Sequence, residues 1–124
     1  MLFESSRVIT KLEKDLGFAL PQAYREHVHR HGSRSPIVGT DCAPKDVSSN
    51  SKYLPDLLRE NGIEYELPKN LVCFLMHQGY IAAWFDSEGG DDPGCMFFSE
   101  GTTPEPKTEG RFSIFMEKVI KDWT

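Results

Sequence analysis

Residues 16–27 read LGFALPQAYREH, and this stretch decides the fold because it ends one helical pattern and begins another. Gly17 is the residue type at which helices most often end in a left-handed turn. Pro21 suits the first turn of a new helix because its ring presets φ. Phe18 and Leu20 lie between them as apolar residues of an extended connector. The stretch predicts a tight corner between two short helices, with Phe18 and Leu20 packed inside it.

Both segments that flank the corner have the apolar spacing of amphipathic helices. Upstream, Ile9, Leu12 and Leu16 recur at intervals of three and four residues. Downstream, a second helix is predicted from about Pro21 to His31, and Gly32 closes it. Four residues share one face of this second helix: Tyr24, His27, Val28 and His31.

The next part of the chain has no clear period. Residues 32–52 are rich in Gly, Ser, Pro and Asp, so they are predicted to form a loop. A loop of this length is unusual in a compact domain, which indicates a functional surface or a partly mobile segment. Residues 53–62, YLPDLLRENG, then predict a short third helix that ends at Asn-Gly.

The second half of the chain favours strands. A continuous apolar run, LVCFLM, occupies residues 71–76, and a second run, YIAAWFD, follows the turn HQG at residues 80–86. A third run, CMFF at residues 95–98, follows the turn SEGGDDPG, so an antiparallel meander of at least three strands is predicted. Residues 100–110, EGTTPEPKTEG, are predicted to form neither helix nor strand because of their prolines and glycines.

A last helix is predicted from six apolar residues at helical spacing: Phe112, Phe115, Met116, Val119, Ile120 and Trp123. Burying all six would contribute on the order of 9–18 kcal/mol, as an upper bound. The predicted fold class is therefore α+β, with a central antiparallel sheet flanked by the helical corner and this C-terminal amphipathic helix. The 124 residues are interpreted as a single domain, 1–124, because no linker or repeat divides them.

Charge and cysteine content limit the classes of function. Fourteen basic and nineteen acidic side chains give a net charge of -5, so nucleic acid is not expected as a direct ligand. The three cysteines are widely spaced, which argues against a disulfide framework or a zinc site. No secretory signal or membrane span is recognised. A cytoplasmic protein with reduced thiols is expected.

The sequence offers no catalytic constellation. No nucleophile motif, nucleotide-binding loop or framed pair of carboxylates is recognised, so no catalytic residue and no cofactor is assigned. Cys73 and Cys95 lie in apolar runs where a buried thiol is inert, whereas Cys42 in the predicted loop could react. His27 and His31, four residues apart, could bind a metal ion from one helix face. Since no further ligand is spaced to complete that site, no metal is assigned.

Clustered acids mark the turn DSEGGDDPG, residues 86–94. Their spacing does not match an EF-hand loop, which leaves a solvated turn or an acidic docking patch for a basic partner. Because side chains alternate along a strand, Trp84 and Asp86 share one face and Phe85 lies on the other. These aromatic residues, with Tyr80, Phe97 and Phe98, are expected mainly in the core, but the alternation leaves open that Trp84 or Phe85 reaches the surface of the sheet, where it would resemble an interface anchor.

The order of these motifs resembles the SUKH superfamily, which includes yeast cell-wall-assembly regulators and many bacterial immunity proteins. The likeness lies first in Leu16-Gly17-Phe18, Leu20-Pro21, Tyr24-Arg25 and the closing Gly32. Later blocks that look similar are Leu67-Pro68, the hairpin with Gly79, Trp84 and Asp86, and the helix RFSIFMEKVI. The resemblance implies an α+β domain with a protein-binding function, since bacterial members are cytoplasmic antitoxins that block polymorphic toxins, often nucleases.

This implication agrees with the acidic charge, because a nuclease presents a basic cleft that an acidic partner can fill, with faster association through electrostatic steering. An exposed ion pair contributes at most about 1 kcal/mol, so buried anchors are needed as well. The hypothesis is a non-catalytic immunity protein whose acids steer a basic toxin that Trp84 or Tyr80 anchors. The candidate partner-binding residues are Tyr80, Trp84, Asp86, Glu88, Asp91 and Asp92.

Two other functions stay open at this point. A regulatory or scaffold domain would bind host proteins without neutralising a toxin. A small-ligand or metal binder would use the histidines of residues 27–31.

Overall fold

A computed structural model describes the backbone of residues 2–124 and the side chains from residue 4 onward. Its helices are α1 (Leu2–Leu16), α2 (Gln22–His31), α3 (Val47–Glu60) and α4 (Phe112–Trp123), and a short 3-10 helix, Pro44–Asp46, precedes α3. Its strands are β1 (Leu71–His77), β2 (Ile81–Asp86), β3 (Gly94–Ser99) and β4 (Lys107–Arg111). The strands form one antiparallel sheet in the order β1-β2-β3-β4. The predicted α+β class with a meander sheet is confirmed.

The corner between α1 and α2 is confirmed. Gly17 ends α1 with φ at 85°, and Leu20 is buried beside the extended Pro21 that precedes α2. The sequence did not reveal how the corner is fastened. The carboxylate of Glu13 accepts hydrogen bonds from the Leu20 N–H and from the Arg25 guanidinium, each at 2.7 Å. One acid of α1 therefore holds both the connector and the second helix.

The sheet is buried on both faces. Helices α1, α2 and α4 cover the face that carries Phe85, which packs against Tyr24, Phe74 and Phe112. Helix α3 and the segment 61–70 cover the opposite face, which carries Trp84. We call these the helical face and the mixed face. Burial on both sides explains why the predicted strands read as continuous apolar runs.

The alternation predicted for β2 is correct, and both aromatic residues lie in the core, so neither takes the surface position that the alternation left open. Trp84 and Phe85 lie on opposite faces, and each is only 1% exposed. Neither aromatic side chain reaches the surface, because the mixed face has its own cover of leucines from α3. Strand β1 also departs from simple alternation. A bulge between Val72 and Leu75 places Phe74 and Leu75 in the same core cluster.

The third helix begins earlier than predicted. Helix α3 starts at Val47, inside the predicted loop, and the side chain of Val47 is 0% exposed. The Asn50 amide donates to the Asp41 carbonyl at 3.0 Å, and the Ser51 hydroxyl accepts the Cys73 N–H at 3.0 Å. These residues have modest helix propensity, so contacts distant in sequence decide their conformation. Residues 32–52 are therefore largely part of the packed structure.

The segment predicted to lack regular structure supplies the fourth strand. Residues 107–111 pair with β3, with Lys107 opposite Phe97 and Arg111 opposite Gly94. The prolines that argued against a strand, Pro104 and Pro106, both precede it. Most side chains of β4 are exposed, so the segment has no apolar alternation that a sequence pattern could reveal.

Helix α4 forms over the predicted residues but is buried less completely than assumed. Phe112, Phe115, Met116 and Val119 are buried, whereas Ile120 is half-buried and Trp123 is 36% exposed. The free energy estimated above for burying all six side chains therefore overstates the contribution of α4. Within residues 2–124, none of the helices combines the length and apolar character needed to cross a membrane.

Candidate partner-binding surface

The acidic turn, residues 86–94, folds on hydrogen bonds of its own. The Asp86 side chain accepts the Glu88 N–H, and the Asp86 carbonyl accepts the Gly89 N–H, both at 2.9 Å. A Cβ atom at position 89 would lie 3.0 Å from the Asp86 carbonyl oxygen and from the Pro93 side chain, so any larger residue there would force the turn to shift. Gly90 follows with φ at 97°.

Backbone hydrogen bonds fix this turn to three other parts of the molecule. The Ala23 N–H at the start of α2 donates to the Asp91 carbonyl at 2.8 Å, and the Ser87 N–H donates to the Asn70 carbonyl at 2.9 Å. At the start of α4, the Phe112 N–H donates to the Pro93 carbonyl at 2.8 Å. A turn held on three sides keeps one conformation, which lowers the entropy cost of binding through it.

The Asp92 side chain makes hydrogen bonds within the fold. Its carboxylate accepts the N–H and the hydroxyl of Ser113 in the first turn of α4. An acid at this position satisfies a free helix N–H and interacts favourably with the positive end of the helix dipole. We therefore assign Asp92 chiefly to capping α4, even though it belongs to the predicted partner-binding set.

The other acids of the turn are more available. Glu88 and Asp91 are exposed, and Asp86 is half-buried. One Glu88 oxygen accepts the Asn70 amide at 3.1 Å on the surface. The predicted steering charges that face solvent are therefore Glu88 and Asp91, with a partial contribution from Asp86.

Trp84 lies beneath this end of the sheet, and its predicted role as an exposed anchor is wrong. Tyr65 covers it, with the two rings edge to face and their centroids 5.9 Å apart. Tyr65 is 38% exposed, so it is the aromatic residue that a partner could contact there. The sequence did not identify Tyr65 as a candidate partner-binding residue, because residues 61–70 have no helix or strand period. The one available signal was its position between Glu64 and Glu66.

A groove of about 410 Å³ opens beside the two rings, and we call it the Trp84 groove. Six of the residues that line it are Tyr65, Glu66, Pro68, Trp84, Asp86 and Met96. The Trp84 indole N–H is buried, and no described residue accepts a hydrogen bond from it. A buried donor without a partner is uncommon in folded proteins and carries a free-energy cost.

Tyr80 lies away from the other candidates. It precedes β2, whereas Asp86 ends that strand, so the two are about 20 Å apart at ~3.3 Å per residue. Tyr80 is half-buried against His77, whose ring also contacts Trp123. The structure thus keeps the four predicted acids in one turn at the end of β2, of which Asp86 lines the groove beside Trp84, and places Tyr80 at the opposite end of that strand.

The candidate metal-binding histidines lie between α2 and α4. The His27 and His31 rings have centroids 4.8 Å apart. Burial, with His31 and Arg30 nearby, lowers the pKa of His27 to about 4, and burial also lowers the pKa of His31. Within residues 2–124, no group of three His, Cys, Asp or Glu side chains is placed to hold a metal ion.

The cysteines are all buried as free thiols in the part of the chain that the structure describes. Burial raises the pKa of Cys73 to about 12 and also raises the pKa values of Cys42 and Cys95. Cys42, which could react if it lay in an open loop, is 2% exposed and lies 3.0 Å from the Ser35 hydroxyl. A thiol in this setting is a poor nucleophile.

Charge is distributed unevenly along the chain. Residues 56–110 contain eleven of the nineteen acidic side chains and three of the fourteen basic ones. This part of the chain supplies the segment 61–70, the acidic turn and strands β1 to β4 up to residue 110. The walls of the Trp84 groove therefore come from the most acidic part of the protein.

Comparison with known protein families identifies the family of this chain. The model of the SMI1 / KNR4 family (SUKH-1) matches residues 5–118, which include the helical corner, the whole sheet and part of α4. The comparisons with curated proteins and with solved structures returned no significant match.

Proposed function

Because this chain belongs to the SMI1 / KNR4 family (SUKH-1), we propose that it is a cytoplasmic immunity protein that binds and neutralises a cognate bacterial toxin. Family membership is the observation that carries the proposal. The protein acts by occupying the toxin and catalyses no reaction of its own. The buried thiols with raised pKa values support this part, since they are unsuited to nucleophilic catalysis.

The acidic charge indicates a basic partner. A nuclease has a cationic cleft for phosphate, and an acidic protein can fill such a cleft and associate with it rapidly. The exposed Glu88 and Asp91 side chains lie on a turn that is fixed by hydrogen bonds to α2 and α4. We assign these two residues the steering role, and a nuclease is the toxin class that fits best.

Co-expression tests the function directly. The open reading frame next to this gene is expressed with and without this protein in a sensitive host. We expect growth arrest with the neighbouring frame alone, rescue when both are present, and co-purification of the two proteins. The proposal would be contradicted if growth arrest persisted although this protein was present in folded, soluble form and no complex could be purified.

Steering is tested by the association rate. Glu88→Lys with Asp91→Lys should slow association with the toxin by roughly tenfold at low ionic strength. The matched control is Glu100→Lys with Asp122→Lys, which makes the same change of net charge at two exposed residues elsewhere. Asp92 is left unchanged because it caps α4. Equal rates for the two double variants in stopped-flow measurements would rule out local steering.

A regulatory or scaffold domain is the alternative, since the family also includes yeast cell-wall-assembly regulators. Genomic neighbourhood separates the two functions, because an immunity gene is expected to follow a toxin gene directly. A metal-binding function has less support. Stoichiometric zinc or calcium in the purified protein would support a metal-binding function.

A further inference from the structure

The Trp84 groove has features that suit one kind of side chain. Resting on the proposed function, we infer that the groove receives an arginine residue from an extended segment of the basic partner. The guanidinium lies between the Glu66 and Asp86 carboxylates, and a neighbouring backbone carbonyl of the partner accepts the Trp84 indole N–H.

The unpartnered indole N–H is the first observation that points to a ligand. Trp84 is 1% exposed, lines the groove and lacks an acceptor among the described residues. The fold therefore keeps a hydrogen-bond donor that its own residues do not use. Tyr65 lies against the indole, is partly exposed and belongs to a segment without regular secondary structure. An outward shift of Tyr65 would admit a carbonyl oxygen to the indole N–H.

The charge of the groove is the second observation. Glu66 and Asp86 line it, Glu66 is exposed, and Asp86 is half-buried. Lys69 also lines the groove, so two carboxylates face one ammonium group. Glu64 and Glu88 are exposed and adjoin this set in sequence. The groove and its rim thus carry an excess of negative charge, which favours a cationic side chain.

The apolar walls favour arginine over lysine. A guanidinium is planar, can bind carboxylates with paired hydrogen bonds and stacks on aromatic rings, and the partly exposed Tyr65 offers such a ring here. Met96 and Pro68 also line the groove and can contact the aliphatic part of the side chain. Lysine would present a compact ammonium that is more strongly hydrated.

The first test neutralises the two carboxylates. Glu66→Gln with Asp86→Asn should weaken binding of the co-expressed toxin by roughly tenfold or more. Asn at position 86 keeps an oxygen that can accept the Glu88 N–H, so the turn is preserved. The control is Glu100→Gln with Asp122→Asn, which removes the same charge elsewhere. Equal affinities for the two double variants, measured by calorimetry, would overturn the groove assignment while leaving the immunity function intact.

The second test needs no toxin. The chain has two tryptophans, and Trp123 lies near His77 at the opposite end of the sheet. Titration of the ¹⁵N-labelled protein with triarginine amide should move the Trp84 indole N–H signal and leave the Trp123 signal in place. Trilysine amide should produce a smaller shift of the Trp84 signal. Unmoved signals, or equal movement of both, would contradict the proposal even if the co-expression test succeeds.

Trp84→Phe separates the hydrogen bond from the aromatic wall. This variant keeps a ring but removes the donor, so it should bind the toxin severalfold more weakly with nearly unchanged stability. Unchanged toxin binding would rule out a role for the indole N–H. If the co-expression test fails but triarginine still moves the Trp84 signal in the wild-type protein, the groove binds arginine for a partner other than a toxin.

Discussion

The helical face of the sheet is covered by three helices, whereas the mixed face is covered by α3 and the irregular segment 61–70. On the helical face, aromatic rings pack directly against one another, as Phe85 does with Phe74 and Phe112. On the mixed face, Trp84 lines an open groove and has a buried N–H for which the described residues supply no acceptor. Under the proposed function, the helical face mainly stabilises the fold, while the mixed face also takes part in recognition.

The largest effect is expected on the helical face. Phe85→Ala should lower the free energy of unfolding by about 3–5 kcal/mol, because a fully buried ring is removed from an aromatic cluster. Urea denaturation followed by circular dichroism gives the value. A loss below about 1 kcal/mol would mean that the cluster relaxes into the cavity and that this face is less tightly packed than the contacts indicate.

The helical face should also respond to pH through His27. Its pKa is lowered from 6.5 to about 4, first by burial and then by His31 and Arg30. The folded state therefore resists protonation, so this contribution to stability is complete above pH 6.5 and is lost as the pH falls toward 4. The loss between pH 6.5 and 5 should be about 2 kcal/mol. Glu26 and Glu117 line a groove between α2 and α4 together with His27, and their negative charge can partly offset this loss.

His27→Gln should flatten the pH dependence of stability in this range. His29→Gln is the control: His29 is exposed on the same helix, and because its ring also lies 2.6 Å from the Ser5 hydroxyl, the slope with pH rather than the absolute stability is compared. Melting temperatures measured across the range check the prediction. If the pH dependence of stability survives His27→Gln but disappears with His29→Gln, the assignment of this titration to His27 is wrong.

A smaller loss is expected where the acidic turn meets α4. Asp92→Ala should cost about 1–2 kcal/mol because the Ser113 N–H loses its acceptor and the helix N-terminus loses an anion. Asp91→Ala is the control, because the fold uses the Asp91 backbone carbonyl rather than its carboxylate. If the two variants are equally stable in thermal unfolding, the capping role of Asp92 is wrong.

The smallest effect is expected on the mixed face. Trp84→Phe should change stability by about 1 kcal/mol or less, because relief of the buried unpaired N–H offsets part of the lost packing. Chemical denaturation of Trp84→Phe gives the value. A loss for Trp84→Phe as large as that for Phe85→Ala would remove the distinction between the two faces.

The sequence predicted those elements whose stability comes from regular apolar spacing. The α1–α2 corner, the first three strands and α4 all have such spacing, with glycine or proline at their boundaries. Helix α3 was predicted too short because its first turns depend on polar contacts distant in sequence, such as Asn50 with Asp41. Strand β4 was missed because backbone pairing with β3 defines it and few of its side chains are buried.

The candidate site was predicted less completely than the fold. The acidic turn was recognised from composition, but its anchoring to α2 and α4 depends on backbone contacts that no local pattern encodes. Strand alternation placed Trp84 correctly beside Asp86, yet it could not show that α3 and residues 61–70 cover that face. Tyr65 was missed because an irregular segment has no period to reveal which of its side chains turn inward.

Strand β4 has a consequence for self-association. It is one of the two edge strands of the sheet, and an open edge can recruit a strand from another copy and lead to aggregation. Here charged residues of alternating sign occupy every second position of the strand, namely Lys107, Glu109 and Arg111. Its pairing with β3 is also interrupted by a bulge. Charges of both signs and an irregular edge disfavour extension of the sheet, so the protein should stay dispersed at the high concentrations that structural work requires.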